Sequence, residues 1–207
     1  MSVIEKLATT LGRRDEVTNQ ELAQQIADDS DKKSVKELIE LLGHKSKDLQ
    51  HDSIKVLYEI AERKPALVGE YTQVFLDLLK HKNNRLQWGA MHAIDAITLE
   101  QPKLIYTALP EILAAADKGS VITRDHAVNI LIKLGTLKAY AEDVFPLLIE
   151  QLMASPPNQV PMYAERAMPI IHEKNKAVFA DTLRSRLDDM EKESKRKRVE
   201  KVIKRFS

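Results

Sequence analysis

"LQWGAMHAIDAIT", residues 86–98, decides how this chain is read. Its apolar residues Leu86, Ala90, Ala93, Ile94 and Ile97 fall at offsets 0, 4, 7, 8 and 11, which is one face of a helix. The same pattern stands 37 residues earlier in "LQHDSIKVLYEIA" from Leu49, and 37 and 74 residues later in "TRDHAVNILIKLG" from Thr123 and "VPMYAERAMPIIH" from Val160. A small residue recurs at one register position as Ser53, Ala90, Ala127 and Ala164. A second apolar segment precedes each copy: "LIELL" from Leu38, "FLDLL" from Phe75, "ILAAA" from Ile112 and "IEQLM" from Ile149.

Four units in constant register imply a repeat architecture. Each unit reads as two helices, A then B, too short to bury both apolar faces alone. Neighbouring pairs must therefore stack, which predicts an all-α fold, a right-handed α-α superhelix (solenoid) with about 37 residues per repeat. The chain reads as a single domain, 1–207. Residues 1–33 form N-terminal capping helices near 3–11 and 19–28, 34–178 the four repeats, and 179–207 an atypical basic C-terminal capping repeat. Thr18 with Glu21 and Ser34 with Glu37 have capping-box spacing, and Gly43 stands where the first A helix should end. Pro65 and Pro102 close the first two repeats, and Pro169 should kink or split the fourth B helix.

These units resemble HEAT repeats, an armadillo-like helical repeat family. The Leu-Pro and aromatic-Pro of its A helices are matched by Leu109-Pro110 and Phe145-Pro146, and its aliphatic-polar-x-x-small entry opens the B helices. The basic residue usual at the second position of B is present only as Arg124; Gln50, Gln87 and Pro161 stand in its place. The resemblance implies B helices on the concave side. The face opposite the core stripe then carries His51, Lys55, Tyr58, Trp88, His92, Asp95, Asp125, Asn129, Met162 and Arg166 as partner-binding candidates. Trp88, the only tryptophan, and Tyr58 are the expected anchors. Gly89 falls on the flank column of Asp52, His126 and Tyr163, where a missing side chain leaves room for His126 or for the Trp88 ring.

Composition narrows the function classes. There is no cysteine, which excludes disulfides, zinc-thiolate sites and thiol chemistry and fits a cytoplasmic protein. The start carries no signal-peptide pattern, and no apolar run is long enough for a membrane span. Six histidines invite a metal reading, but none forms HExxH. His44 and His81 share a turn position one repeat apart and read as a polar rim. No catalytic constellation or cofactor motif is legible, so no catalytic residue, metal or cofactor is expected.

From Lys192 the chain holds eight Lys/Arg and two Glu. That segment carries +6, and the remainder −5 for a net charge of +1. Lys195, Arg196, Lys197, Arg198 and Lys201 could meet phosphate or an acidic protein. Val199, Val202, Ile203 and Phe206 nevertheless recur at helical spacing, which favours a docked capping helix with its cations in solvent.

Three functions follow as expectations. The first is a non-catalytic scaffold that binds a protein or peptide along the concave B-helix face. The second is a nucleic-acid-binding protein resembling the HEAT-like alkylpurine DNA glycosylases, in which Trp88, Asp95, Arg124 and Arg166 loosely echo that family's cleft and the basic C-terminus adds charge. The third is a lyase-like protein acting on a bound chromophore, for which only the fold speaks.

Overall fold

The computed structural model describes residues 2–206. Among them the protein is all helical, without a strand. Twelve α-helices follow in order: α1 (Val17–Asp29), α2 (Lys32–Leu41), α3 (Lys47–Arg63), α4 (Thr72–Leu78), α5 (Asn84–Ile97), α6 (Pro102–Thr107), α7 (Leu109–Lys118), α8 (Val121–Gly135), α9 (Ala141–Ala154), α10 (Val160–Ala167), α11 (Lys176–Ser185) and α12 (Glu193–Phe206). Short 3-10 turns stand at Val3–Lys6, Pro65–Leu67, Gly69–Tyr71 and Met168–Ile170. No helix of the described residues is long and apolar enough to cross a membrane.

The chain packs as two compact units, Met1–Ala127 and Val128–Ser207, with the boundary inside α8. In the first unit α3 is the central helix. It packs on α1, α2 and α5, and α5 in turn packs on α4. Ile54, Val56, Leu57, Ile60, Leu86, Met91, Ile94 and Ile97 are almost wholly buried there. In the second unit α12 lies on α10 and α11, and α9 packs on both of these. Tyr163, Phe179, Leu183 and Val199 form its core.

The close packing of α3 and α5 has an identifiable cause. A Cβ at Gly89 would stand 2.6 Å from Ile54 Cγ1, inside van der Waals contact. The missing side chain therefore accommodates Ile54, not His126 or the Trp88 ring as the flank column suggested. Gly135 repeats the arrangement within the second unit, where a Cβ would stand 2.7 Å from Ile170 Cδ1.

Local signals explain most helix ends, with some corrections. Ser46 and Asn83 cap α3 and α5, accepting from Leu49 N at 3.5 Å and Arg85 N at 3.0 Å. Pro65 and Pro102 each open a short helix, at the position where a missing N–H costs nothing. Pro169 converts the end of α10 into a 3-10 turn. Ser34 and Glu37 do not form a capping box. Asp31 caps α2 by accepting from Ser34 N at 3.0 Å, and Glu37 is taken by the N-terminus, accepting from Ser2 Oγ and Val3 N. Thr18 and Glu21 do not cap α1 either; that helix begins at Val17 after Glu16, with no side-chain cap. The helix expected near 3–11 is a single 3-10 turn, because Ala8 and Thr9 give their N–H groups to Asn19 Oδ1 and Asp52 Oδ2 at 3.1 and 2.7 Å.

Candidate functional site

In the first unit α3, α5 and the first half of α8 bring four rings into one ladder. Tyr58 stacks on His92 with ring centroids 4.3 Å apart and 18° between planes, and His92 stacks on His126 at 4.2 Å and 23°. Trp88 leans on the other side of Tyr58, at 5.7 Å and 48°. Tyr58, His92 and His126 are 34 residues apart in turn, so each helix supplies one rung. Trp88 and His92 lie on the same side of α5 because residues four apart are neighbours on a helix surface.

Carboxylates fix the edges of the ladder. His92 Nε2 donates to Glu62 Oε1 at 2.5 Å, and His126 Nδ1 donates to Asp95 Oδ2 at 2.8 Å. Each imidazole is thereby held in one tautomer and one orientation. Burial lowers the pKa of His92 below the usual histidine value, and the neighbouring His126 lowers it further; Glu62 opposes both. Burial also raises the phenol pKa of Tyr58.

At its other end the ladder meets a charge cluster. Lys55 Nζ lies 4.9 Å from the Tyr58 ring centroid and pairs with Glu59 Oε1 at 2.7 Å and Glu16 Oε2 at 3.0 Å. Burial opposes the charge on Lys55, but the bonds to Glu59, Tyr58 and Glu16 outweigh it and raise the lysine pKa. Lys55 also lines a cleft of about 540 Å³ between the N-terminal segment, α3 and α5, whose walls include Arg13, Arg14, His51 and Arg85.

The expected partner-binding residues are placed unevenly. Trp88, His92 and His51 are half-buried, and His51 Nε2 accepts from Asn83 Nδ2 at 2.8 Å. Lys55, Tyr58 and Asp95, read as outward-facing, are buried, at 5%, 4% and 6% exposure. The N-terminal segment and α1 cover one flank of α3, and α5 covers the other. A face opposite one apolar stripe is therefore not left open. Asp125 is half-buried in the first unit. Asn129, Met162 and Arg166 belong to the second unit, where Arg166 Nη1 donates to Asn129 Oδ1 at 3.1 Å.

Helical periodicity put Glu62 on the same outward face as Tyr58, but gave no sign of His126, Glu59 or Asn19 as parts of this cluster. The residue one column from Gly89 was the available clue to His126. Polar residues buried between B helices were the available clue to Asp52 and Glu59.

The basic segment behaves as a docked helix. Val199, Val202 and Ile203 are buried, and Phe206 meets Phe179 edge-on at 5.7 Å. Arg198 forks onto both carboxylate oxygens of Glu165 at 2.8 and 2.6 Å, Lys195 reaches Asn158, Lys197 pairs with Glu193, and Arg196 meets Asp188 and Glu200. His44 and His81 serve their turns: each accepts through Nδ1, from Ser46 N and Asn83 N, both at 3.0 Å. No cluster of three or more metal-ligating side chains occurs among the described residues.

No protein-family model and no curated protein sequence matches the chain. Two crystal structures of engineered proteins from the Northeast Structural Genomics Consortium are similar to it in fold. One has a TM-score of 0.62 at 20% identity, covering 99% of this chain and all of that one. The other has a TM-score of 0.57 at 19% identity, covering 100% of this chain and 98% of that one. At such identities the likeness is one of fold alone.

Proposed function

We propose that this chain is a non-catalytic scaffold that binds a protein or peptide through the α3–α5–α8 face carrying Trp88, built on a right-handed solenoid of HEAT-like helix pairs. The ring ladder carries the binding reading. Trp88 is half-buried against Tyr58, and the rings behind it are locked by stacking and by carboxylates. A rigid aromatic anchor loses little side-chain entropy when a partner covers it, which is what interface hot spots exploit.

The solenoid reading draws support from the register of contacts. Tyr58 meets His92, Gly89 meets Ile54, Arg166 meets Asn129 and Lys195 meets Asn158, each pair 34–37 residues apart. The second position of three successive B helices also contacts the segment just before it. Gln50 Nε2 donates to His44 O and Gln87 Nε2 to Leu79 O, both at 2.7 Å, and Arg124 faces Asp117 at 3.6 Å.

A protein partner is favoured over nucleic acid by the cleft beside the ladder. Four basic and four acidic side chains line it, a balance that suits a mixed peptide surface better than a phosphate backbone. The test is affinity capture from native cell extract with wild-type and Trp88→Ala bait of equal helicity. A specific protein retained by wild type and lost with Trp88→Ala supports the reading. Salt-sensitive retention on DNA, with no protein lost, overturns it.

A further inference from the structure

In the second unit, α12 and the end of α10 enclose a groove of about 560 Å³ that the ladder face does not involve. Its floor is apolar, formed by Met168 and the buried Val202. Its rim is basic. Arg198 is satisfied by Glu165, but Lys201, Lys204 and Arg205 make no ion pair among the described residues. Arg205 Nη1 approaches the Met168 thioether at 4.0 Å, and Lys201 adds to the lowering of the Glu165 pKa, which the Arg198 bond chiefly causes.

We infer that this groove is a second docking surface, for an acidic amphipathic peptide segment that seats an aliphatic side chain on Met168 and Val202 and sets carboxylates against Lys201, Lys204 and Arg205. Three considerations favour this occupant. Three unneutralised cations around an apolar floor call for an anionic partner with an apolar anchor. The volume lies within the range of about 300–1,000 Å³ usual for built sites. A thioether floor adapts to aliphatic side chains of different shape. A nucleic-acid strand would need an aromatic platform for its bases, and none lines the groove; Phe206 is already engaged edge-on with Phe179.

The experiment uses the full chain and four fluorescein-labelled probes, followed by anisotropy. The first probe is a helical peptide with Glu on one face and Leu on the other. The second replaces Leu by Ser, the third replaces Glu by Gln, and the fourth is a single-stranded DNA oligonucleotide of equal charge. The Glu/Leu peptide is expected to bind saturably. Affinity should fall by roughly tenfold or more with either altered peptide and with Lys201→Glu/Lys204→Glu/Arg205→Glu. It should be unchanged with Trp88→Ala, which separates this groove from the ladder face. The three cations are exposed, so the triple variant should keep its helicity; Lys201→Gln/Lys204→Gln is the milder check if it does not. The Met168 methyl signal should shift on titration. Absence of saturation by about 1 mM, near the weak limit for a specific complex, overturns the inference. So does equal binding of the Ser peptide, equal binding by the charge variants, or tighter binding of the oligonucleotide.

Discussion

Replacing Gly89 by alanine puts a methyl group 2.6 Å from Ile54 Cγ1 in a fully packed layer. Alanine is the better helix former by up to about 1 kcal/mol, whereas overpacking costs about 1–3 kcal/mol. The clash wins, so Gly89→Ala should lower stability by about 1–2 kcal/mol in urea unfolding. Adding Ile54→Ala should cancel most of the clash, a coupling that a double-mutant cycle reads directly. His92 makes a second prediction at this scale. Its folded pKa lies below the usual value of 6.5, so the unfolded chain binds the proton more readily. Stability is then fully present above 6.5 and falls as pH drops towards the folded value. Thermal melts should show this loss on acidification below 6.5, and His92→Gln should flatten it. The Glu59 pKa is also lowered, against an ordinary value of 4.5, so its contribution fades only in the more acidic range and does not obscure the histidine.

At the scale of elements, the N-terminal segment is held by two carboxylates: Glu37 takes Ser2 and Val3, and the buried Asp52 takes Thr9 and Asn19. Asp52 accepts from Thr9 N at 2.7 Å and Asn19 Nδ2 at 2.8 Å, while Asn19 Oδ1 accepts from Ala8 N. Asp52→Ala leaves buried donors without partners and should cost about 2–3 kcal/mol. Hydrogen exchange should localise the change, with Ala8 and Thr9 amides losing protection while α5 keeps it. The sequence disclosed this element poorly. Residues 3–11 carry helical spacing, but buried acceptors on α1 and α3 take backbone N–H groups that a helix would have used internally. The capping boxes failed for a related reason. Glu37 was claimed from a distance by Ser2 and Val3, and sequence spacing cannot show a competitor that only folding brings near.

For the whole molecule, the all-helical class was the most legible feature. Helical spacing grouped Tyr58, Trp88 and His92 as outward-facing residues without showing that their rings stack, and the apolar spacing of Val199, Val202 and Ile203 anticipated the docking of α12. Exposure was less legible. A helix with neighbours on both flanks has no open face, so Lys55, Tyr58 and Asp95 are buried although they lie opposite the apolar stripe. Their burial changes the binding proposal from a row of exposed contacts to a rigid ladder that presents Trp88. Quantitative mass spectrometry of proteins captured by wild type, Trp88→Ala and the Lys201/Lys204/Arg205 charge variant tests that proposal most directly. At least one protein should be lost with Trp88→Ala, at unchanged helicity, and retained by the charge variant. An identical captured set for wild type and Trp88→Ala would contradict it.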